Sequence, residues 1–413
     1  MRQVSVTANT ARCLAALLFA VAARPLTGQN AQSQSSTIEA TRKAKAPDTA
    51  GWRAAVQSKA AVQYDDNVFL LSPTQRGTLS APSAASVTSG RYTGMESAND
   101  MLGVGSMGVE LRGPGVAGRT LEITPEISYE FASRNQLRRE AAGALSIAQS
   151  LGGGRRVRVN VGSTPSHFAR NYLSDAVDAD ANGSISPAER IYKRGQYGEY
   201  SLGGDFRVPL GGKAKKGAGA VLTAGAGYYG RSYDAPFAVR DLKGPTGTLG
   251  LAFGQNAPVG LDLTYDIAAL SAAQGKQVDL LDETTYNVDF NGNGTATDLN
   301  ARALVDIDRS RLEQQFGAGL TFDAGRHATA SLGYDYRLRS FRSKLPYDVS
   351  DAGRSDARSG IRGSVRARLA HGVYMSSGVK FLTQSTNRPL GSVVGDEADY
   401  RNLVASLSLR AAF

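Results

Sequence analysis

From Trp52 onward the chain alternates between apolar and polar side chains. Trp52, Ala54, Val56, Ser58, Ala60, Val62 and Tyr64 fall on one face of an extended segment, and Arg53, Gln57, Lys59 and Gln63 on the other. That period of two belongs to a strand with one apolar and one polar side. Leu121, Ile123, Pro125, Ile127, Tyr129 and Phe131 repeat it against Glu122, Thr124, Glu126, Ser128 and Glu130. Leu403, Ala405, Leu407, Leu409, Ala411 and Phe413 repeat it against Asn402, Ser406, Ser408 and Arg410. The pattern predicts strands over 52–64, 101–112, 120–131, 141–150, 157–169, 196–208, 219–231, 247–255, 261–272, 309–322, 328–341, 357–369, 373–385 and 400–413, fourteen in all. Most exceed the ~5–6 residues usual in soluble sheets and match a tilted strand that crosses a bilayer.

The connections alternate in kind. Six are short and marked by Gly or Pro: Gly113 to Gly115, Gly152 to Gly154, Gly211 to Gly217, Asn256 to Gly260, Ala324 to Arg326, and Ala370 to Gly372. Seven are mostly longer and polar: 65–100, 132–140, 170–195, 232–246, 273–308, 342–356 and 386–399. Long and short follow each other strictly, as a closed up-and-down barrel with tight turns at one rim and extended loops at the other requires. In hydrocarbon every backbone polar group needs an internal partner, so a membrane-embedded sheet must close. The expected fold is all-β: a transmembrane, up-and-down antiparallel β-barrel of about 14 strands over residues 51–413.

Composition agrees. Glycine is 47 of 413 residues without a triplet period, and 41% hydrophobic with 20% charged content is too apolar for a disordered chain. Mean hydropathy is only −0.26, as expected where half of every strand faces water. Phe131, Phe168, Tyr172, Tyr336, Phe341 and Tyr400, near strand ends, are the expected aromatic girdle at the lipid interface.

The start of the chain reads differently. Basic Arg2 and Arg12 precede an apolar run from Cys13 to Ala23, too short to cross a bilayer but suited to a signal peptide over residues 1–28. Residues 29–50, rich in Gln, Ser, Thr, Ala and Lys, read as a flexible periplasmic lead-in. The single cysteine, Cys13, falls in the leader, so the mature chain has no disulfide or catalytic thiol. The formal net charge is +10, of which the leader holds three arginines and no acids. No other stretch reaches ~18 consecutive apolar residues, which argues against a helical membrane protein.

The final strand ends on the aromatic Phe413, and along residues 52–413 the chain resembles Gram-negative outer-membrane β-barrel, porin-like proteins. The segment Tyr64-Asp65-Asp66-Asn67-Val68-Phe69 also resembles the opening of porin-type barrels, some associated with exopolysaccharide export. The resemblance implies the outer membrane of a Gram-negative bacterium, contact with membrane lipid and lipopolysaccharide, and recognition of the last strand by the barrel-insertion machinery. It implies a porin-like channel for passive diffusion of small polar or anionic solutes. The alternatives are an exit pore for an exported polysaccharide and a non-conducting, adhesive surface barrel.

Polar-face charges sharpen the channel reading. Arg337, Arg339, Arg358, Arg362, Arg366, Arg368, Lys380 and Arg410 fall on polar faces of the last four strands, next to Arg53 and Lys59 on the first after closure. Glu122, Glu126, Glu130, Asp262 and Asp266 fall on other strands. Arg337, Arg339, Arg362, Arg366, Arg368, Lys380, Arg410, Glu126 and Asp262 are the expected channel-lining residues, with a basic wall and a mild anion preference. The competing expectation is that these charges neutralise one another in a plugged interior.

Two loops resemble EF-hand calcium loops. Asp178, Asp180, Asn182, Ser184, Ser186 and Glu189 occupy positions one, three, five, seven, nine and twelve, with Gly183 at six. Asp289, Asn291, Asn293 and Asp298 form a second, looser set that reads in two registers. The flanking amphipathic helices of the family are missing, so the expected role is structural: calcium stiffening the outer loops.

No enzyme is expected. Of three histidines, His327 and His371 lie in short turns, and His167 has Ser163, Ser166 and Asp175 nearby without a hydrolase signature. Lys213, Lys215 and Lys216 read as a solvated turn with no aromatic–basic module beside it, so nucleic acid is not an expected partner.

Overall fold

The computed structural model describes residues 51–81, 90–211, 219–254, 257–273, 275–325, 327–388 and 399–413. The signal peptide, the lead-in and the lysines at 213, 215 and 216 lie outside the described residues. Fourteen strands form the wall: β1 (Arg53–Asp65), β2 (Asp100–Pro114), β3 (Thr120–Ala132), β4 (Glu140–Gly152), β5 (Arg155–Ala176), β6 (Arg190–Leu210), β7 (Ala220–Tyr233), β8 (Leu242–Phe253), β9 (Val259–Ala272), β12 (Arg311–Asp323), β13 (Ala328–Phe341), β14 (Ser355–Ala370), β15 (Val373–Asn387) and β16 (Tyr400–Ala412). Each pairs antiparallel with its neighbours, and β1 pairs with β16 to close the barrel. The seam runs from Gln57 opposite Ala412 to Asp65 opposite Val404. Phe413 extends it by exchanging main-chain hydrogen bonds with Val56 at 3.0 and 3.1 Å. All fourteen predicted strands are present. Between them the hairpin β10 (Gly275–Leu281) and β11 (Ala301–Ile307), inside the loop read as 273–308, was not anticipated.

The apolar face of each strand points outward. Ile127, Phe316, Leu332, Ile361, Val365, Leu407 and Leu409 are all exposed on the outer skin, which only a hydrocarbon surrounding makes favourable. Many wall glycines sit under a cross-strand ring. Phe131 lies opposite Gly103, and a Cβ at that glycine would meet the ring at 2.2 Å, so the ring occupies the space a side chain would fill. Among the described residues no helix is long and apolar enough to cross a membrane.

The buried apolar core lies mostly in the long loops, at the loop end of the barrel. In L1 (66–99), which includes helix α1 (Pro73–Ser80), Val68, Phe69, Leu71, Met95 and Ala98 pack on Leu102, Ala132 and Phe168. Val278 and Leu280 of β10 pack on Leu173, Ala176 and Ile185. Leu281, Ala303, Val305 and Ile307 of the β10–β11 hairpin pack on Val349 of the loop before β14. These loops lean on β5 and β6, whose 22 and 21 residues outrun their predicted spans. Three bulges, at Thr164/His167, Phe168/Arg170 and Leu173/Asp175, interrupt the pairing of β5 with β6 toward the loop end.

This packing corrects part of the girdle expectation. Phe131 faces outward at 48% exposure, but Phe168, Tyr172 and Tyr400 are only 3–7% exposed. Phe168 makes an edge contact with Phe69 of L1 (centroids 5.8 Å apart). Phe341 lies beneath the guanidinium of Arg354, 4.5 Å away. These four serve the loop packing and the mouth, because bulges and loop contacts override the simple inside–outside alternation near the rim.

Candidate functional site

The lumen divides into two halves. Toward the short turns, Arg362 and Arg368 are exposed to the interior water; toward the loops on the same wall, Arg358 and Arg337 are only 8% and 7% exposed. Along this wall the lumen side chains are therefore wet toward the turns and buried toward the loops.

Toward the turns, the basic wall on β14, β15 and β16 carries no ion pair among the described residues, although Asp335 acts electrostatically on Lys380. Arg366 donates to Ser376 Oγ at 3.4 Å, Arg368 reaches the carbonyl of Ala370 at 3.4 Å, and Arg410 donates to Gln57 Oε1. Arg362 lies across Gly333, where a Cβ would stand 2.6 Å from its Nε. Among the described residues none of Arg362, Arg366, Arg368, Lys380 and Arg410 forms an ion pair. The acidic strands differ. Glu122 binds Arg156 at 2.7 Å and Arg112 at 3.2 Å, Glu130 faces Arg138 at 3.7 Å, and Asp205 binds Arg158 at 2.8 Å. Asp262 also has an interaction partner, while Glu126 acts electrostatically on Lys59. Neutralisation is thus one-sided: acids are mostly consumed and cations are left over.

At the loop end L1 narrows the mouth. Asp65 Oδ1 accepts the amide of Asn67 at 2.8 Å and the carboxamide of Asn402 at 2.6 Å, and Asp66 Oδ1 accepts the amide of Leu403 at 2.6 Å. Asn67, fully buried, donates to the carbonyls of Leu71 and Arg401 at 2.8 Å each. This staple tightens the chain into a turn with Leu70 at φ +52°. Leu70 then lines a cavity of about 150 Å³ with Arg170, Arg337, Arg339, Arg354, Asp356, Gln384 and Tyr400. Glu313 binds Arg311 at 2.6 Å and Arg339 at 3.2 Å. Arg354 grips both oxygens of Asp356, at 2.8 and 3.1 Å, and reaches Asp351 at 3.2 Å. Arg337 and Arg339 were readable as lumen residues from alternation. Leu70, Arg170 and Arg354 were not, since a loop or a bulge carries each there, and Asp356 stands on β14 just before the predicted start of that strand.

The two calcium-type loops lie against each other. In the first, ligand oxygens of Asp178, Asp180 and Glu189 come within 4.8 Å of one another. Asp178 Oδ2 accepts the amide of Gly183 at 2.8 Å, and Gly183, at φ +84°, makes the sharp turn. Asn182 Oδ1 accepts the amide of Ser184, and the Ser186 amide donates to Glu189 Oε2, each at 2.8 Å. Glu189 also accepts the amide of Ala179 at 2.7 Å, and hydrogen bonds from Ser186 above all hold its carboxyl below the usual range. The second loop, after helix α2 (Glu283–Tyr286), repeats the scheme: Asp289 Oδ2 accepts the amide of Gly294 at 2.7 Å. Asn291 and Asn293 both donate to Asp298. Both loops present carboxylate, carboxamide and hydroxyl oxygens, which suit a hard cation, but the second loop offers fewer carboxylates.

Among the described residues, none of Ser163, Ser166 and Asp175 is a hydrogen-bond partner of His167. Its Nδ1 pairs with Glu140 Oε2 at 2.5 Å and its ring lies beside Arg138 and Tyr197. Asp175 instead binds Arg302 at 2.8 Å.

Closed wall, lipid-type skin and polar lumen together define the class: an outer-membrane-type β-barrel. No family model matches the chain, and no curated protein matches it. Among solved structures the chain is similar to the anion-selective porin of Comamonas acidovorans (10% identity, 88% of this chain and 99% of that one, TM-score 0.36). It is also similar to OprD of Pseudomonas aeruginosa (9%, 90% and 99%, TM-score 0.37) and to OmpT, an outer membrane protein of Vibrio cholerae (8%, 90% and 100%, TM-score 0.40). Likeness at this level assigns neither solute nor site.

Proposed function

We propose that this barrel is a porin-like channel of the Gram-negative outer membrane, passing small polar or anionic solutes by diffusion. The observation that carries the reading is the set of lumen cations, Arg362, Arg366, Arg368, Lys380 and Arg410, that form no ion pair among the described residues. Unpaired charges in a low-dielectric tube set up a potential that attracts ions of opposite sign. The mouth, narrowed by L1, suits small solutes better than a polymer strand.

The purified barrel in a planar bilayer under a KCl gradient tests this. A reversal potential on the anion side is expected, moving toward cation preference in Arg362→Gln/Arg366→Gln. An unchanged reversal potential overturns the basic wall, and absence of conductance overturns the channel.

A second element of the proposal is calcium in the first outer loop, favoured by the convergence of Asp178, Asp180 and Glu189. Asn182, Ser184 and Ser186 complete an oxygen set there, and Asp289, Asn291, Asn293 and Asp298 offer a weaker one. The ion would supply positive charge that stiffens the loops.

A further inference from the structure

We propose that the cavity at the mouth is a saturable binding site for a small oxyanion, a carboxylate or phosphate group gripped by the Arg337 guanidinium. The proposal rests on the channel reading in one respect: a solute crossing the mouth would pass by binding there.

Arg337 is only 7% exposed, yet among the described residues it makes no hydrogen bond and no ion pair. The carboxylate of Glu313 acts on it at a distance but is already bound by Arg311 and Arg339, and a buried guanidinium with no bonded counter-charge is unfavourable. The neighbours cannot relieve it. Arg339 is held by Glu313 at 3.2 Å, and Arg354 is held by Asp351 and Asp356. Directly opposite Arg337, in the register of β13 on β14, stands Arg358, a like-charge pair that is repulsive in a sheet. Arg358 reaches Asp335 only at 3.8 Å. Arg170, Arg337, Arg339 and Arg354 all line the cavity; the other three have partners of their own, so among the described residues the fork of Arg337 is the one left open.

The planar fork of an arginine matches the two oxygens of a carboxylate or phosphate group. Around it Gln384 and Tyr400 offer neutral hydrogen-bonding groups and Leu70 an apolar lid. About 150 Å³ admits a group of a few heavy atoms, not a folded polymer. A diffuse basic wall would need none of this: it would leave its arginines wet, as Arg362 and Arg368 are.

Titration calorimetry on the full-length, detergent-folded protein decides the matter, with sodium acetate, sodium succinate and inorganic phosphate as separate probes. Saturable binding of at least one probe is expected, with the preference between the carboxylates and phosphate naming the ligand class. Arg337→Gln is expected to weaken it by about tenfold or more, and Arg337→Lys, which keeps the charge but loses the fork, by a smaller factor. Should the Gln variant fail to fold, the Lys variant carries the test. No saturable heat, or equal binding in the parent and in every variant that folds, overturns the site. KCl conductance in a planar bilayer is measured alongside. Binding without conductance sinks the channel reading and leaves the site; conductance without binding does the reverse.

Discussion

Asn402 of the last strand donates its carboxamide to the main-chain carbonyl of Asn67, 3.2 Å away and just beyond the first strand. The barrel's closing seam and the loop that narrows its mouth are therefore one hydrogen-bonded unit. It also gives a physical reason for Tyr64 to Phe69. Asp65, Asp66 and Asn67 bind the far side of the seam, and Val68 and Phe69 anchor L1 in its core.

Asn67→Ala should release L1 without opening the wall. It removes two buried donors and leaves the Leu71 and Arg401 carbonyls unmatched, at roughly 1–3 kcal/mol for each buried group left unsatisfied. Larger single-channel conductance with retained barrel migration on a cold, unboiled gel is expected; unchanged conductance would detach L1 from the constriction.

The outward skin can be tested by one pair of neighbours. Leu407 faces out and is 54% exposed, while Ser408 faces the lumen. Leu407→Arg should cost about 2–4 kcal/mol if it lies near the bilayer midplane, and Ser408→Arg much less. Urea unfolding in lipid vesicles measures both. Equal costs would mean the skin is assigned to the wrong medium.

Glu313 balances the buried Arg311 at 2.6 Å and the half-buried Arg339 at 3.2 Å. Glu313→Ala leaves both unpaired, and a loss of about 3–5 kcal/mol is expected. Glu313→Gln should lose less, since its carboxamide oxygen still accepts a hydrogen bond. A shift in the same unfolding midpoint reads the difference.

Calcium should give saturable heat with the folded protein, at ~mM affinity as in extracellular modules, and raise the temperature at which the outer loops melt. Asp178→Ala and Glu189→Ala should abolish the effect. Because hydrogen bonds from Ser186 and Ala179 hold the Glu189 carboxyl below its usual range, its contribution is present above the ordinary glutamate pKa. It fades only as pH falls through the depressed folded value. Calcium binding should thus persist into mildly acidic buffer. A parent protein that gives no calcium heat at neutral pH ends the proposal.

The sequence by itself determined the wall. Strand number, alternation of long and short connections and the outward set of residues all follow from a period-two pattern, which membrane and water impose locally on every strand. The basic face of Arg362, Arg366 and Arg410 was legible for the same reason. Whether those charges were cancelled was not, because cancellation depends on which side chains meet from different strands: Glu122 on β3 meets Arg156 on β5, whereas Arg362 forms no ion pair among the described residues. The outer mouth was decided only in three dimensions. Leu70 arrives there through a turn stapled to β16, Arg170 through bulges in β5, and Arg354 from a loop, none of which leaves a periodic trace. The hairpin of β10 and β11 hid likewise in a loop segment, because its strands pack on other loops and not on lipid or lumen. Local alternation reports the medium on each side of a strand, whereas a site reports contacts between residues hundreds of positions apart.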